Sequence, residues 1–291
     1  VNQHKIYKTW AFLFTLPNII LFVLFFAIPA VLGLVFSFTN FNGFSGEFVG
    51  LDNYIHLLFH DEHFMGVIIR TTIFALIAPI LGYLVSLGLA LLLSDKDLVF
   101  GTVAKVLVYI PTLMSPVVSA ITMRWLFGEN FGFINHLLET IGLDPVKWST
   151  DGYAAFIMVI LVGIWGAGGF NMILILGRLR SIPPELYEAA KIDGASVWQR
   201  FRNVTIPMLK PITFLILLLG TISAFKEFAV IDTLTNGGPG MATTFYVLYM
   251  YRIGFERLLI GLASAGSMIL FIILLVLASV QTKLQKGGEI S

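Results

Sequence analysis

Few polar side chains interrupt the apolar stretches of this 291-residue chain, and those few are where chemistry could occur. Lys226 and Glu227 stand side by side near the end of one stretch, with Ser223 one turn earlier, while Trp165 and Asn171 lie inside another. Charges set so deep are costly in lipid and are expected to face protein or water. An indole face beside an amide and a hydroxyl suits binding better than reaction. The ring offers a surface for the C–H face of a cyclic polyol, and the polar groups offer partners for its hydroxyls. Trp165, Asn171, Ser223, Lys226 and Glu227 are therefore the candidate binding residues. Counting along a helix from Pro211 places Lys226 about 22 Å up a hydrocarbon core about 30 Å thick. Adjacent helical residues point about 100° apart, so Lys226 and Glu227 are not a facing pair, and each needs its own partner or a path to the interface. Gly166, Gly168 and Gly169 beside Trp165 have a second reading, as the small-residue face that lets two helices approach closely. Ser115 and Ser119 reach similar depth in a third stretch, where a serine readily bonds its own helix carbonyl.

No catalytic constellation accompanies these residues. The chain has no GxxxxGK[ST] loop for nucleotide phosphates, no HExxH and no Ser-His-Asp set in a supporting context. His56, His60 and His63 have the i, i+4, i+7 spacing of one helical face, which could offer metal ligands. No carboxylate-backed site goes with them, so a solvated external helix is the reading, and no metal is expected. Zero cysteines removes disulfides, thiol catalysis and thiolate sites. We expect no enzyme activity and no cofactor in this chain.

The elements that must position the candidate residues are membrane helices. With 57% hydrophobic and 12% charged residues and a mean hydropathy of +0.90, the chain has more apolar surface than a soluble core could use. A net charge of +1 gives no field for nucleic acid. Six stretches are long and apolar enough to span: 11–38, 71–93, 106–123, 152–177, 211–231 and 258–281. Twelve of the 18 Lys and Arg fall on one side of them: Lys5, Lys8, Lys96, Lys105, Arg178, Arg180, Lys191, Arg200, Arg202, Lys210, Lys283 and Lys286. The positive-inside rule makes that side the cytoplasm, with both termini there. The first stretch is too long for a signal-peptide core and is expected to be retained as a span. Pro17, Pro29, Pro79, Pro111 and Pro116 predict kinks where the freed backbone groups face protein or a cavity. The fold class is all-α, a polytopic membrane protein of six transmembrane helices, read as one domain over 1–291 with a short amphipathic helix at 52–59.

One long polar run, PPELYEAAKIDGASVWQRFRNVTIPMLKP, separates the fourth and fifth stretches. Pro183 and Pro184 suit a first helical turn, and Glu185 and Glu188 place negative charge near its positive end. Ala189 and Ala190 leave a face with almost no side chain. Gly194 can stop the helix in the left-handed conformation, Ser196 to Gln199 forms a capping box for a second helix, and Pro207 and Pro211 are expected to end that one. Two short helices at an angle make a knob suited to a cleft in another protein.

The run resembles the EAA loop of the membrane subunits of binding-protein-dependent ABC importers, through Glu188, Ala189, Ala190, Gly194, Val204, Ile206 and Pro207. Val204 and Ile206 stand where that pattern has Ile and Leu. Two more stretches, SFTNFNGF with FVGLDNYIHLL and LTNGGPGMATTFYVLYMYRIGF, resemble the larger maltose-permease type of the carbohydrate-uptake branch, without the external domain inserted in some of its members. The resemblance implies a type I importer fold whose loop, with Glu188, Ala189, Ala190, Asp193, Gly194, Ala195 and Pro207, is a coupling helix on a cytoplasmic ATPase. It also implies the partners: a second permease subunit, two ATPase subunits that bind ATP and Mg, an extracytoplasmic sugar-binding protein, and a sugar as substrate. A stand-alone ion-coupled transporter is the alternative, for which a mid-span carboxylate and an inverted repeat are expected and not seen.

Overall fold

The computed structural model describes residues 2–95 and 98–287. Lys96 lies outside the described residues, as do the side chains of Lys5, Lys8 and Lys286, all counted above toward the basic face. The chain packs as two compact units. One runs up to Met65 and takes in Met250–Leu275, and the other comprises Gly66–Tyr249 with the stretch from Val276 onward.

In the first unit, α1 covers residues 2–36, and no residue of its apolar stretch Phe12–Phe36 is fully buried within the chain. A wide π-type turn, Val23–Ala27, interrupts it just ahead of Pro29, with the Ile28 N–H donating to the Val23 carbonyl. The wider ring makes room for a proline that would clash with a carbonyl four residues back and cannot donate to it. α2 (52–60) follows as the amphipathic pattern predicts, ending in a second wide turn. Asn53 Nδ2 donates to the Ser37 and Thr39 carbonyls at 3.0 and 2.8 Å, and Tyr54 donates to Ser37 Oγ at 2.7 Å, folding the loop after α1 back on itself.

The second unit is built from α3 (Phe64–Leu92), α4 (Gly101–Leu113), α5 (Pro116–Leu126), α6 (Phe133–Thr140), α7 (Gly152–Arg180), α8 (Pro184–Ile192), α9 (Val197–Phe225) and α10 (Ala229–Thr235). α11 (246–256) and α12 (Ile260–Gly287) complete the chain, each contributing one part to either unit. Among the described residues five helices are long and apolar enough to cross a membrane, and α4 with α5 makes a sixth if that pair counts as one span. The third span is thus a correction to the single helix expected over 106–123: α4 and α5 meet at 107°. Ser115 precedes Pro116, which pushes it to an extended backbone (ψ 147°), and its Oγ then accepts the Val118 N–H as the cap of α5.

A second correction concerns Pro207 and Pro211, which do not end the helix that begins at Val197. α9 continues from the polar run straight into the fifth span. As in α1, a wide turn (Phe201–Thr205) precedes the first proline, with the Ile206 N–H donating to the Phe201 carbonyl. At the other end the expected span 211–231 stops early. Phe225 is the last helical residue, Lys226 caps it, and α10 starts afresh at Ala229.

Tyr83, Leu87 and Ala90 of α3 and Leu93 just after it pack with Met172, Ile175 and Leu176 of α7 and Leu209 and Ile216 of α9 to form a buried core. Lipid is as apolar as these side chains, so what holds the helices together is close packing and interhelical hydrogen bonding. Both are visible on α7. A Cβ on Gly169 would overlap the Val108 carbonyl of α4, so this glycine permits the closest approach. Gly166 and Gly168 have no such neighbour and act through their carbonyls, which accept from Thr112 at 3.3 Å and Ser86 at 3.1 Å.

Two loops are folded as firmly as the helices. Between α5 and α7, the buried Asn135 donates to the carbonyls of Glu129 and Val146 and accepts from the Val146 N–H and Trp148 Nε1, so its whole amide is satisfied. Between α10 and α11, Thr243 Oγ1 donates to the Gly238 carbonyl and Thr244 Oγ1 to the Gly237 carbonyl, while the Tyr246 N–H reaches Thr71 Oγ1 of α3 at 3.0 Å.

Candidate functional site

The polar run folds as its residues dictate. Pro183 has the extended backbone of a cap, Pro184 opens α8, Glu185 sits in its first turn and Lys191 in its last. At the far end the Gly194 N–H donates to the Lys191 carbonyl at 3.1 Å and the Ala195 N–H to the Ala190 carbonyl at 2.9 Å. With Gly194 at φ +77°, this is the paired 5→2 and 6→1 closure that only a left-handed residue allows. Ala195 is then the whole linker, because Ser196 already caps α9: its Oγ accepts the Gln199 N–H while Gln199 Oε1 accepts the Ser196 N–H at 2.7 Å.

The knob so formed turns an unusual surface outward. Glu188, Ala189, Asp193 and Gly194 are exposed, Ala190 and Ala195 are half-buried, and Pro207 is exposed on α9. Ile192, Val197 and Trp198 at its tip are 86, 74 and 66% exposed. Large apolar side chains exposed beside a small-residue face are the kind of patch that makes protein or membrane contacts. The knob is also braced from within. Tyr187 of α8 shares a 2.9 Å hydrogen bond with the buried Thr205 of α9, and Arg178 at the end of α7 donates from Nε to the Met208 carbonyl at 2.9 Å. Sequence reasoning missed these three bracing residues, since they are 18 and 30 positions from their partners and share no helical face with them.

Four of the five candidate binding residues divide between two depressions, both within the second unit. A cavity of about 400 Å³ lies among α3, α7 and α9, where Phe74, Phe170, Asn171, Gly220, Ser223 and Glu227 contribute to its wall. Residues 163, 167, 170, 171 and 174 of α7 and 216, 219, 220, 223, 224 and 227 along and just beyond α9 follow i, i+3, i+4, i+7 stripes. Asn171, Ser223 and Glu227 thus line the same cavity. Glu227 is fixed there, since its Oε1 accepts the Val230 N–H at 3.1 Å in the first turn of α10.

Trp165 is not brought to them. It lines a separate cleft of about 430 Å³ with Leu107 and Pro111 of α4 and Leu161 and Ile164 of its own helix. Six residues along a helix turn the direction by about 120°, which carries Trp165 off the stripe that holds Asn171. Lys226, the residue that ends α9, is exposed and lines neither depression. Among the described residues no three His, Cys, Asp or Glu come together as a metal site.

Comparison with known proteins bears on both features. The family described as binding-protein-dependent transport system inner membrane component matches residues 82–287. The sn-glycerol-3-phosphate transport system permease protein UgpA of Yersinia enterocolitica is 35% identical over 273 residues, 93% of this chain and 92% of the relative. A chain in the crystal structure of a bacterial ABC transporter involved in import of the acidic polysaccharide alginate superposes with a TM-score of 0.84, covering 97% of each chain at 25% identity. In the crystal structure of a bacterial alginate ABC transporter complexed with an alginate pentasaccharide-bound periplasmic protein, the match has a TM-score of 0.83 at 26% identity, over 96% of this chain and 95% of that one.

Proposed function

The chain belongs to the binding-protein-dependent transport system inner membrane components, the permease subunits of ABC importers, and on that premise we propose that it moves a carbohydrate across the membrane through the cavity among α3, α7 and α9. Its partners in this reading are a second permease, two ATPase subunits that bind and hydrolyse ATP with Mg, and an extracytoplasmic sugar-binding protein. The basic face, with the 183–207 knob, is cytoplasmic, and so are both termini. The alginate importer crystallised with its periplasmic protein supports the last of those partners. Family membership also disfavours a stand-alone ion-coupled transporter, because such a protein needs no external binding protein.

A single observation carries the coupling role: an exposed helix with a small-residue face, closed by a left-handed glycine and braced onto the start of α9. A partner that pushes on α8 pushes on α9 through Tyr187 and Thr205, and α9 lines the cavity. Nucleotide binding can shift the transporter between states only to the extent that the ATPase grips the knob differently in each. Ala190→Glu puts a charge on the small-residue face of α8, outside the membrane-spanning helices. In a reconstituted complex we expect normal assembly of the two permeases and at least a tenfold loss of substrate-stimulated ATP hydrolysis. Full stimulated hydrolysis by that complex would sink the coupling reading. Asn171 and Ser223 are assigned to substrate hydroxyls. Trp165 and Lys226, which lie off the cavity wall contributed by this chain, keep a substrate role only if substrate reaches the cleft between α4 and α7 or the end of α9.

A further inference from the structure

We propose that Glu227 makes the cavity select against negatively charged substrates, so that the carbohydrate carried is an uncharged one; this rests on the cavity being the substrate path. The polar side chains lining it are the Asn171 amide, the Ser223 hydroxyl and the Glu227 carboxylate, and the rest of the wall is apolar or small. Among the described residues of this chain no Lys or Arg lines it. The nearest lysine in sequence, Lys226, is exposed and off the wall. Glu227 cannot swing clear either, because its Oε1 is held by the Val230 N–H as the cap of α10.

A carboxylate in such a place treats two classes of glycan differently. To a neutral sugar it is an acceptor, with lone pairs beyond the one taken by Val230 free for hydroxyls. To a uronate or phosphate it is a like charge in a wall with little to screen it. At an effective dielectric constant of about 20 and a separation of about 6 Å, that repulsion lowers occupancy on the order of a hundredfold. The glycerol phosphate of the UgpA relative and the acidic polysaccharide of the alginate importer are both anionic, so this feature would set the present chain apart in substrate charge.

The test uses the permease complex with its partner subunits and no binding protein, so that selection upstream does not enter. This chain has no cysteine, and Ala167, an exposed residue of the cavity wall, can be made the reporter as Ala167→Cys. Labelling by a small neutral thiol reagent is followed in the presence of maltotriose, mannotriose, xylotriose or trigalacturonate. We expect protection by at least one neutral trisaccharide, with trigalacturonate needing at least tenfold more. Glu227→Gln, which keeps an oxygen for the Val230 cap, should bring the two classes within about threefold, whereas Glu227→Asp should keep them apart. Trigalacturonate protecting the parent complex as well as the neutral sugars, or a ratio unmoved by Glu227→Gln, overturns the charge selection alone. Protection by none of the four overturns it together with the cavity reading.

Discussion

Replacement of Gly194 separates backbone strain from every other effect. The residue sits at φ +77°, and no heavy atom lies within 4 Å of where a Cβ would be. Alanine therefore meets no neighbour, and its cost is that of the left-handed backbone alone, about 1–2 kcal/mol. That is roughly a 5- to 30-fold shift away from the intact turn. The chain can escape the strain only by giving up the Gly194 and Ala195 hydrogen bonds to the Lys191 and Ala190 carbonyls, which re-aims α8 against α9. Valine, β-branched, should be worse, while asparagine tolerates this conformation and should recover much of the loss. Because the turn is exposed, the damage stays local, and the melting temperature of the assembled complex should barely move. Substrate-stimulated ATP hydrolysis by the reconstituted complex should fall in the order Gly, Asn, Ala, Val. Equal activity of Gly194→Ala and the parent, or an asparagine variant as poor as valine, refutes the argument that this angle sets the knob.

Two further outcomes follow from packing and charge. Gly169→Ala should lower thermal stability, since the added carbon would overlap the Val108 carbonyl and lie 2.7 Å from Tyr109 Cα, an overpacking worth about 1–3 kcal/mol or more. Gly166→Ala and Gly168→Ala, which meet nothing within 4 Å, should stay within about 0.5 kcal/mol of the parent, and equal melting of all three variants would contradict the close approach of α4 and α7. Glu129 is held below the usual glutamate range, chiefly by the Ser149 N–H at 2.7 Å, with Thr150 adding two longer bonds. A depressed carboxylate stabilises the loop above its unfolded pKa and loses that effect as pH falls through the folded one. Amide exchange at Ser149 and Thr150 should therefore be slower in the parent than in Glu129→Gln at neutral pH, and the two should converge in acid. An exchange difference that persists at low pH would rule this out.

What the sequence determined by itself was whatever depends on neighbours along the chain. Long apolar stretches dictate membrane helices wherever the backbone must satisfy its own hydrogen bonds, and four spans overlie the stretches that hydropathy marks, while the helix of the fifth stretch begins at Val197 and ends at Phe225. The Pro-Pro start, the left-handed Gly194 and the Ser196–Gln199 box are equally local, each a few residues making bonds with one another, and all three are in place. Depth and polar chemistry could only group Asn171, Ser223 and Glu227 with Trp165 and Lys226, and that three of these five share a cavity is a matter of direction around the helices. Tertiary structure decided the remainder. Whether a proline ends a helix depends on what the preceding turn can absorb, so Pro116 breaks the third span at 107° while Pro207 is carried through by a wide turn. Depth along a helix says nothing of direction around it, so Trp165 shares a level with the cavity residues yet faces α4. The bonds from Tyr187 to Thr205 and from Arg178 to Met208 join residues with no periodic relation, and only the folding of α8 back onto α9 brings them within reach.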